Sequence, residues 1–192
     1  MRRPRGAFRK FLDYLLGFAI LALLAVIAAR YDRVDTRQVA GAVTVNDGDS
    51  LTLGAVRIRL VGIDAPEYDQ RCQRNGADYA CGREARKALA DLAAADGVSC
   101  EGWETDRYGR LLAVCKAGSV DLNRRQVEQG WAVAYGDYFD AEHAARDAKR
   151  GLWAGTFDRP RDWRDMHGGL AESEHDVFGA AANWLRQLFG FS

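Results

Sequence analysis

The chain has 192 residues, which suffices for one domain with a substantial core and short terminal segments, so a second folded domain is not expected. Its 27 Lys and Arg residues balance its 27 Asp and Glu residues. Because Asp13 is the only acidic residue near the basic amino terminus, the rest of the chain is net acidic. This composition argues against broad, nonspecific binding to polyanions.

The amino-terminal segment predicts a membrane anchor. Basic residues cluster before position 11, and only Asp13 interrupts the apolar run over 11–29. A helix of this length, at about 1.5 Å per residue, nearly matches a hydrocarbon core of about 30 Å, and the basic flank favours a cytoplasmic amino end. Residues 1–30 are therefore interpreted as a single-pass transmembrane signal anchor. A cleaved signal peptide followed by secretion, or a buried helix, is the alternative.

A polar linker at 31–38 precedes a domain predicted over 39–167. Composition and turn residues predict strands at 39–45, 51–53, 56–63, 98–104 and 110–116, and helices at 83–95, 121–134 and 140–150. Strands that come first, with helices inserted and appended, predict an α+β domain built on a small barrel with helices on one side.

The carboxy-terminal segment, 168–192, spaces apolar residues at helical intervals and predicts an amphipathic helix. Three interpretations are open: the helix packs on its own domain, lies on a membrane surface, or binds a protein partner. Arg186 is its only basic residue, which weakens the membrane interpretation.

Four cysteines beyond an export segment predict two disulfides in an oxidising compartment. Cys100 and Cys115 are symmetric about a predicted two-residue turn at 107–108, which favours their pairing and leaves Cys72 with Cys81. Strict counting from that turn places Cys100 and Cys115 in a hydrogen-bonded pair, where side chains lie far apart, so a β-bulge would be needed. The spacings lack a C-x2-C pair, which argues against zinc.

Carboxylates recur at turns and strand ends. Asp49 lies in VNDGDSLTL (45–53), and Asp64 ends the apolar strand of RIRLVGIDAPE (57–67). Adjacent strands could bring both together as hard oxygen ligands for Ca²⁺ or Mg²⁺. The DGD segment does not match an EF-hand loop. Taken alone, DGD is typical of an ordinary turn.

Three further residues suit phosphoryl chemistry. Glu67 follows Pro66, which directs its carboxylate away from the strand and suits a general base acting on water. Arg59 and Arg110, the latter in DRYGR (106–110), offer permanently charged forks for phosphate oxygens. The alternative interpretation is an ordinary salt-bridge network formed by these three residues with Asp49 and Asp64.

These motifs, in this order and spacing, resemble the thermonuclease family, also called staphylococcal nuclease-like domains. The resemblance covers 39–164 and includes QVEQGWAVAY (126–135). The runs CGREA (81–85) and GLWAGTFDRPRDWR (151–164) are similar to the exported, disulfide-containing bacterial branch. The resemblance implies a five-stranded OB-fold β-barrel with about three packed helices and calcium-dependent hydrolysis of DNA and RNA. With the anchor, it implies a domain on the periplasmic side of a bacterial inner membrane.

Carried over residue by residue, the resemblance implies that Ca²⁺ is bound by Asp49, Asp64 and the backbone carbonyl of Ala65. Many members have threonine where this chain has Ala65, and we expect this difference to be tolerated. The implied catalytic residues are Arg59, Glu67 and Arg110, and the implied nucleotide contacts are Tyr108 and Tyr135.

The leading functional hypothesis is a monomeric, calcium-dependent nuclease in which water attacks phosphorus. A noncatalytic OB module that binds nucleic acid or another extracytoplasmic ligand is the alternative from a different class. A third hypothesis is an assembly protein that docks a partner through 168–192. All five polar site residues of the family pattern are present, which favours the enzyme.

Overall fold

In the computed structural model, residues 5–31, 36–94 and 97–167 are described. The chain divides into two compact units, Met1–Thr36 and Arg37–Ser192. The amphipathic helix predicted over 168–192 lies outside the described residues, as do positions 32–35 of the predicted linker.

The described residues of the first unit form the helix α1 (Arg5–Tyr31). Across the described part of the chain, no helix combines the length and apolar character needed to cross a membrane. The predicted transmembrane span is thus not confirmed.

The second unit contains eleven strands among its described residues. They are β1 (Arg37–Ala40), β2 (Val43–Val45), β3 (Ser50–Leu53), β4 (Val56–Leu60), β5 (Ile63–Asp64), β6 (Cys72–Arg74), β7 (Ala77–Tyr79), β8 (Val98–Thr105), β9 (Leu111–Ala117), β10 (Val120–Asp121) and β11 (Val133–Ala134). Its helices are α2 (Cys81–Ala93), α3 (Leu122–Glu128), α4 (Phe139–Asp147) and α5 (Pro160–Met166), with a 3-10 turn at Gly151–Ala154.

The main sheet follows the strand order β1-β8-β9-β4-β3-β2, and β10 pairs with β9. Only the β4–β9 pairing is parallel within this sheet's described residues; it places Leu112 opposite Arg59. The buried core lies between the curled sheet and the helices. On α2, the buried residues Ala85, Leu89 and Ala93 recur every four positions and form the helix face that packs into this core. This mixed α+β architecture fits the expected OB-like fold. The described residues form more strands than the five expected and more helices than the three expected.

The predicted helix over 121–134 is wrong at its carboxyl end. The helix α3 ends at Glu128, and Gly130 adopts a φ of 76°, which a side chain rarely tolerates. Glycine is required at position 130 because an added Cβ would lie 2.3 Å from the backbone oxygen of Arg150. The chain then forms β11, in which Val133 pairs with Asp64.

The hairpin β8–β9 contains the predicted Cys100–Cys115 disulfide, but the predicted two-residue turn is wrong. Five residues, 106–110, connect the strands instead of two, and a β-bulge between Gly102 and Glu104 restores Cys100 to a position opposite Cys115. Their Cα atoms are 4.1 Å apart, close to the spacing of about 4.5 Å in a non-hydrogen-bonded pair. Cys72 and Cys81 form the second disulfide, as predicted.

Candidate active site

The turn before β3 places Asp49 inside the domain. Its backbone oxygen accepts a hydrogen bond from the Leu60 amide at 2.8 Å, which ties the turn to β4. Gly48 packs so closely that an added Cβ would lie 2.7 Å from the Ala65 Cβ. The Gln126 amide nitrogen donates to the Gly48 oxygen at 2.9 Å. The turn is therefore fixed from three sides, and Asp49 is buried.

One guanidinium bridges the two buried aspartates. Arg59 Nη1 donates to Asp49 Oδ1 at 2.7 Å, and its Nη2 donates to Asp64 Oδ1 at 2.8 Å. All three side chains are buried, so both ion pairs lie away from bulk water. The other carboxylate oxygen of Asp49, Oδ2, accepts a hydrogen bond from the Ala65 amide at 2.8 Å. The structure thus brings together four residues singled out from the sequence.

Burial raises the pKa of the Asp49 carboxyl well above its ordinary value, because removal from water disfavours the charged form. The Arg59 guanidinium opposes this shift in pKa, whereas the nearby carboxylates of Asp47 and Asp64 reinforce it. A cation placed beside Asp49 would favour the ionised form of that carboxyl.

Glu67 lies at the edge of this cluster and is half-buried. A further arginine, Arg164 on α5, donates from Nη1 to Glu67 Oε1 at 2.9 Å and to Asp64 Oδ1 at 3.0 Å. Its Nη2 donates to Asp64 Oδ2 at 3.2 Å. Glu67 and Asp64 therefore share one guanidinium, as Asp49 and Asp64 share that of Arg59.

Arg110 occupies a separate turn, at the start of β9. Its Nε donates to Asp106 Oδ2 at 2.6 Å, and its guanidinium lies 5.2 Å from the centre of the Tyr108 ring. Hydrogen bonds from the Arg110 and Tyr108 amides to Asp106 Oδ1 close the turn. Arg110 immediately precedes β9, the strand beside β4, which carries Arg59. Tyr135 follows β11, and its amide donates to the Gly62 oxygen at 3.0 Å.

The donor chemistry fits a hard divalent cation. Asp49 and Asp64 supply anionic oxygens close enough for one guanidinium to bridge them, and Ala65 is the adjoining backbone position. Within the ranges the structure describes, no group of three or more His, Cys, Asp or Glu side chains is arranged to hold a metal. Carbonyl, water or substrate oxygens would therefore have to complete the coordination of a cation there.

A small curled sheet that carries this buried Asp–Arg–Asp cluster next to a glutamate defines an OB-like domain with a site suited to phosphate chemistry. The family model described as "Staphylococcal nuclease homologue" matches residues 57–155. The chain belongs to that family of phosphodiester hydrolases.

Named relatives support this assignment. The succinoglycan biosynthesis protein ExoI of Rhizobium meliloti is 36% identical over 140 residues, covering 69% of this chain and 73% of that protein. An uncharacterized endonuclease of Haemophilus influenzae is 32% identical over 158 residues, covering 76% and 82%. A micrococcal nuclease of Shigella flexneri is 34% identical over 144 residues, covering 64% and 78%.

Sequence reasoning gave no role to Arg164, although the residue ends the GLWAGTFDRPRDWR run. Its partners lie about a hundred positions earlier in the chain, so no local pattern links them. The same holds for Gln126, which reaches Gly48 from α3. The buried face of α3 also carries Asn123 beside Leu122 and Val127, so its composition does not single out Gln126.

Proposed function

We propose that the protein is a calcium-dependent nuclease that hydrolyses phosphodiester bonds of DNA or RNA. The observation that carries this proposal is the buried bridge from Asp49 through Arg59 to Asp64, with Glu67 beside it. Family membership supports the reaction class.

In this proposal, the carboxylates of Asp49 and Asp64 and the carbonyl of Ala65 hold Ca²⁺. An ion held by these residues would supply positive charge beside the carboxylates and act as a Lewis acid toward a phosphoryl oxygen. The fixed turn at Gly48 and the Ala65 amide orient Asp49 for this purpose. Ala65 cannot contribute a side-chain oxygen, so its backbone is the only ligand it offers.

Glu67 accepts a proton from water, and the resulting hydroxide attacks phosphorus in line with the leaving oxygen. The bond from phosphorus to the 5′ oxygen breaks, that oxygen takes a proton from solvent and leaves as a 5′ hydroxyl, and a 3′ phosphate remains. Arg59 and Arg110 stabilise the charge that develops on the phosphoryl oxygens, because a guanidinium stays charged and offers paired donors. Tyr108, which is exposed beside Arg110, and Tyr135 contact the nucleotide in this proposal.

The test is a substrate panel for the purified, oxidised protein. Single-stranded DNA, double-stranded DNA and RNA are incubated with Ca²⁺ or EGTA, and the product ends are identified by mass spectrometry. We expect cleavage that requires Ca²⁺ and leaves 3′ phosphates. Binding of nucleic acid without cleavage of any substrate would refute the enzyme proposal and favour the noncatalytic OB module.

We also propose that the domain acts outside the cytoplasm and is tethered by residues 1–30. Two disulfides among the described residues support an oxidising compartment. Detection of peptides from 1–29 in the membrane fraction by mass spectrometry is the expected result. Recovery of a soluble extracytoplasmic form that lacks them would instead indicate a cleaved signal peptide.

A further inference from the structure

The helix α5 brings a second arginine to the carboxylate cluster. The Arg164 side chain is only 13% exposed, and it makes three hydrogen bonds with the carboxylates of Asp64 and Glu67. Its Nη1 is shared between the two acids. One side chain therefore contacts both a proposed metal ligand and the proposed general base.

The segment before α5 is held by the loop that carries Glu67. Gln70 is fully buried, and its Nε2 donates to the Asp158 oxygen at 2.7 Å. Gln70 also makes two hydrogen bonds with the backbone of Glu67. The Gln70 amide donates to the Glu67 backbone oxygen at 2.8 Å, and the Glu67 amide donates to Gln70 Oε1 at 3.2 Å. Gln70 thus fixes the start of α5 and the backbone of Glu67 relative to each other.

A second attachment lies a few residues earlier. Gln73 and Thr156 exchange two backbone hydrogen bonds of 2.9 Å each. Gly155 permits this approach, because a Cβ there would lie 1.9 Å from the Gln73 oxygen. Gln73 follows Cys72, whose disulfide to Cys81 closes the loop. The position of Arg164 is therefore built into the fold.

The cluster also contains a second positive charge. Three carboxylates, those of Asp49, Asp64 and Glu67, lie around the Arg59 and Arg164 guanidinium groups. Arg59 contacts the two aspartates, and Arg164 contacts Asp64 and Glu67. A guanidinium can bridge two carboxylates with separate nitrogens in a fixed plane, whereas a lysine ammonium is a single point charge.

We propose that Arg164 is a positioning residue of the active site. It fixes the Glu67 carboxylate relative to Asp64, and in the metal-free protein its charge competes with a divalent cation for Asp64. The proposal rests on the nuclease function proposed above. It makes opposite predictions for turnover and for cation affinity, which a purely structural role would not.

The test compares Arg164→Gln and Arg164→Lys with the wild type and with Arg159→Gln. Arg159 lies at the start of α5 but pairs with Glu142 at 3.5 Å, and its side chain is 49% exposed. Calorimetry measures Ca²⁺ binding without substrate. Steady-state cleavage of single-stranded DNA at saturating Ca²⁺ gives kcat and KM, and urea unfolding checks the fold.

For Arg164→Gln we expect kcat to fall roughly 10- to 100-fold with KM nearly unchanged, since a displaced catalytic group lowers turnover by such factors. We expect Ca²⁺ to bind about 30-fold tighter, the effect of removing a unit positive charge at about 4 Å from a divalent cation in water. Arg164→Lys should restore the wild-type Ca²⁺ affinity but not kcat. Arg159→Gln should match the wild type in both.

An unchanged kcat in Arg164→Gln would overturn the inference while leaving the proposed function intact. A lower kcat accompanied by weaker Ca²⁺ binding and a lower unfolding midpoint would also overturn it, because that pattern indicates a structural role. Absence of cleavage by the wild type on every substrate would refute the proposed function, and this inference with it.

Discussion

Replacement of Arg59 by methionine tests how strongly the buried cluster depends on its central charge. Methionine retains much of the apolar volume but removes two hydrogen-bonded ion pairs. The side chains of Arg59, Asp49 and Asp64 are 6%, 3% and 8% exposed, so solvent cannot substitute for the lost partner. Removing one partner of a buried ion pair costs about 3–5 kcal/mol.

We expect Arg59→Met to be near the lower end of that range, at about 3 kcal/mol. Asp64 keeps its contact with Arg164, and Asp49 keeps the Ala65 amide, so neither acid is left without a donor. A loss of this size is a large fraction of the roughly 5–15 kcal/mol by which domains are stable.

Urea unfolding at neutral pH in EGTA measures the effect, with an unchanged m-value as evidence for the same two states. Lys87→Met is the control, because the Lys87–Asp91 pair has a similar distance of 2.6 Å but side chains that are 68% and 65% exposed. Its midpoint should equal that of the wild type, since exposed pairs contribute little. A wild-type midpoint for Arg59→Met would refute the claim that the three residues form one electrostatic unit.

Three further predictions follow from individual contacts. Gly82→Ala should lower both stability and nuclease activity, because its Cβ would lie 1.7 Å from the Glu67 backbone oxygen and displace that residue. Replacing Cys72 and Cys81 by serine should lower the free energy of unfolding, measured in urea, by about 2.5 kcal/mol. This is the loop-closure entropy expected for a disulfide with a sequence separation of 9. Asp106→Asn should be less stable than the wild type at neutral pH. Burial raises the pKa of Asp106, but its hydrogen bonds and charge contact with Arg110 outweigh burial and lower it. Because the pKa of Asp106 in the folded protein lies below its unfolded value of about 3.9, the stability that ionised Asp106 contributes is lost as the pH falls through the folded pKa. The free energies of unfolding of the wild type and Asp106→Asn should therefore converge at low pH.

Matched variants make these predictions specific. Gly97→Ala should be neutral, because an added Cβ meets nothing within 4 Å. Equal stability of Gly82→Ala and Gly97→Ala would contradict the first prediction. For the disulfide, equal urea midpoints of the oxidised wild type and the double serine variant would contradict the second. A stability gap for Asp106→Asn that persists undiminished to pH 2 would contradict the third.

Features with a local signal were predictable from the sequence. The apolar face of α2 follows from a regular spacing of alanine and leucine. The pairing of Cys100 with Cys115 followed from hairpin symmetry, and the need for a bulge followed from counting residues. The juxtaposition of Asp49 with Asp64 was expected from adjoining strands and is confirmed by their shared contact with Arg59.

Features that depend on distant contacts were not predictable. The contact of Gly130 with the backbone of residue 150 is one of them, although glycine itself is a local signal for a helix end after Glu128 that the prediction overran. The seven-residue helix α5 is too short for a periodic pattern, so the role of Arg164 was missed. The turn at 106–110 was misjudged for a local reason instead, because the Asp106 side chain accepts hydrogen bonds from the Tyr108 and Arg110 amides and the two-residue prediction overlooked this signal.

The most direct test of the central claim is the cleavage rate of Glu67→Gln with saturating Ca²⁺, measured beside Glu84→Gln. Glu84 is an exposed residue in the first turn of α2 and serves as the matched control. The account predicts that Glu67→Gln loses about 10²–10⁴-fold in rate, as expected for a general base, while Glu84→Gln and the unfolding midpoints stay at wild-type values. Cleavage by folded Glu67→Gln at the wild-type rate would contradict the account.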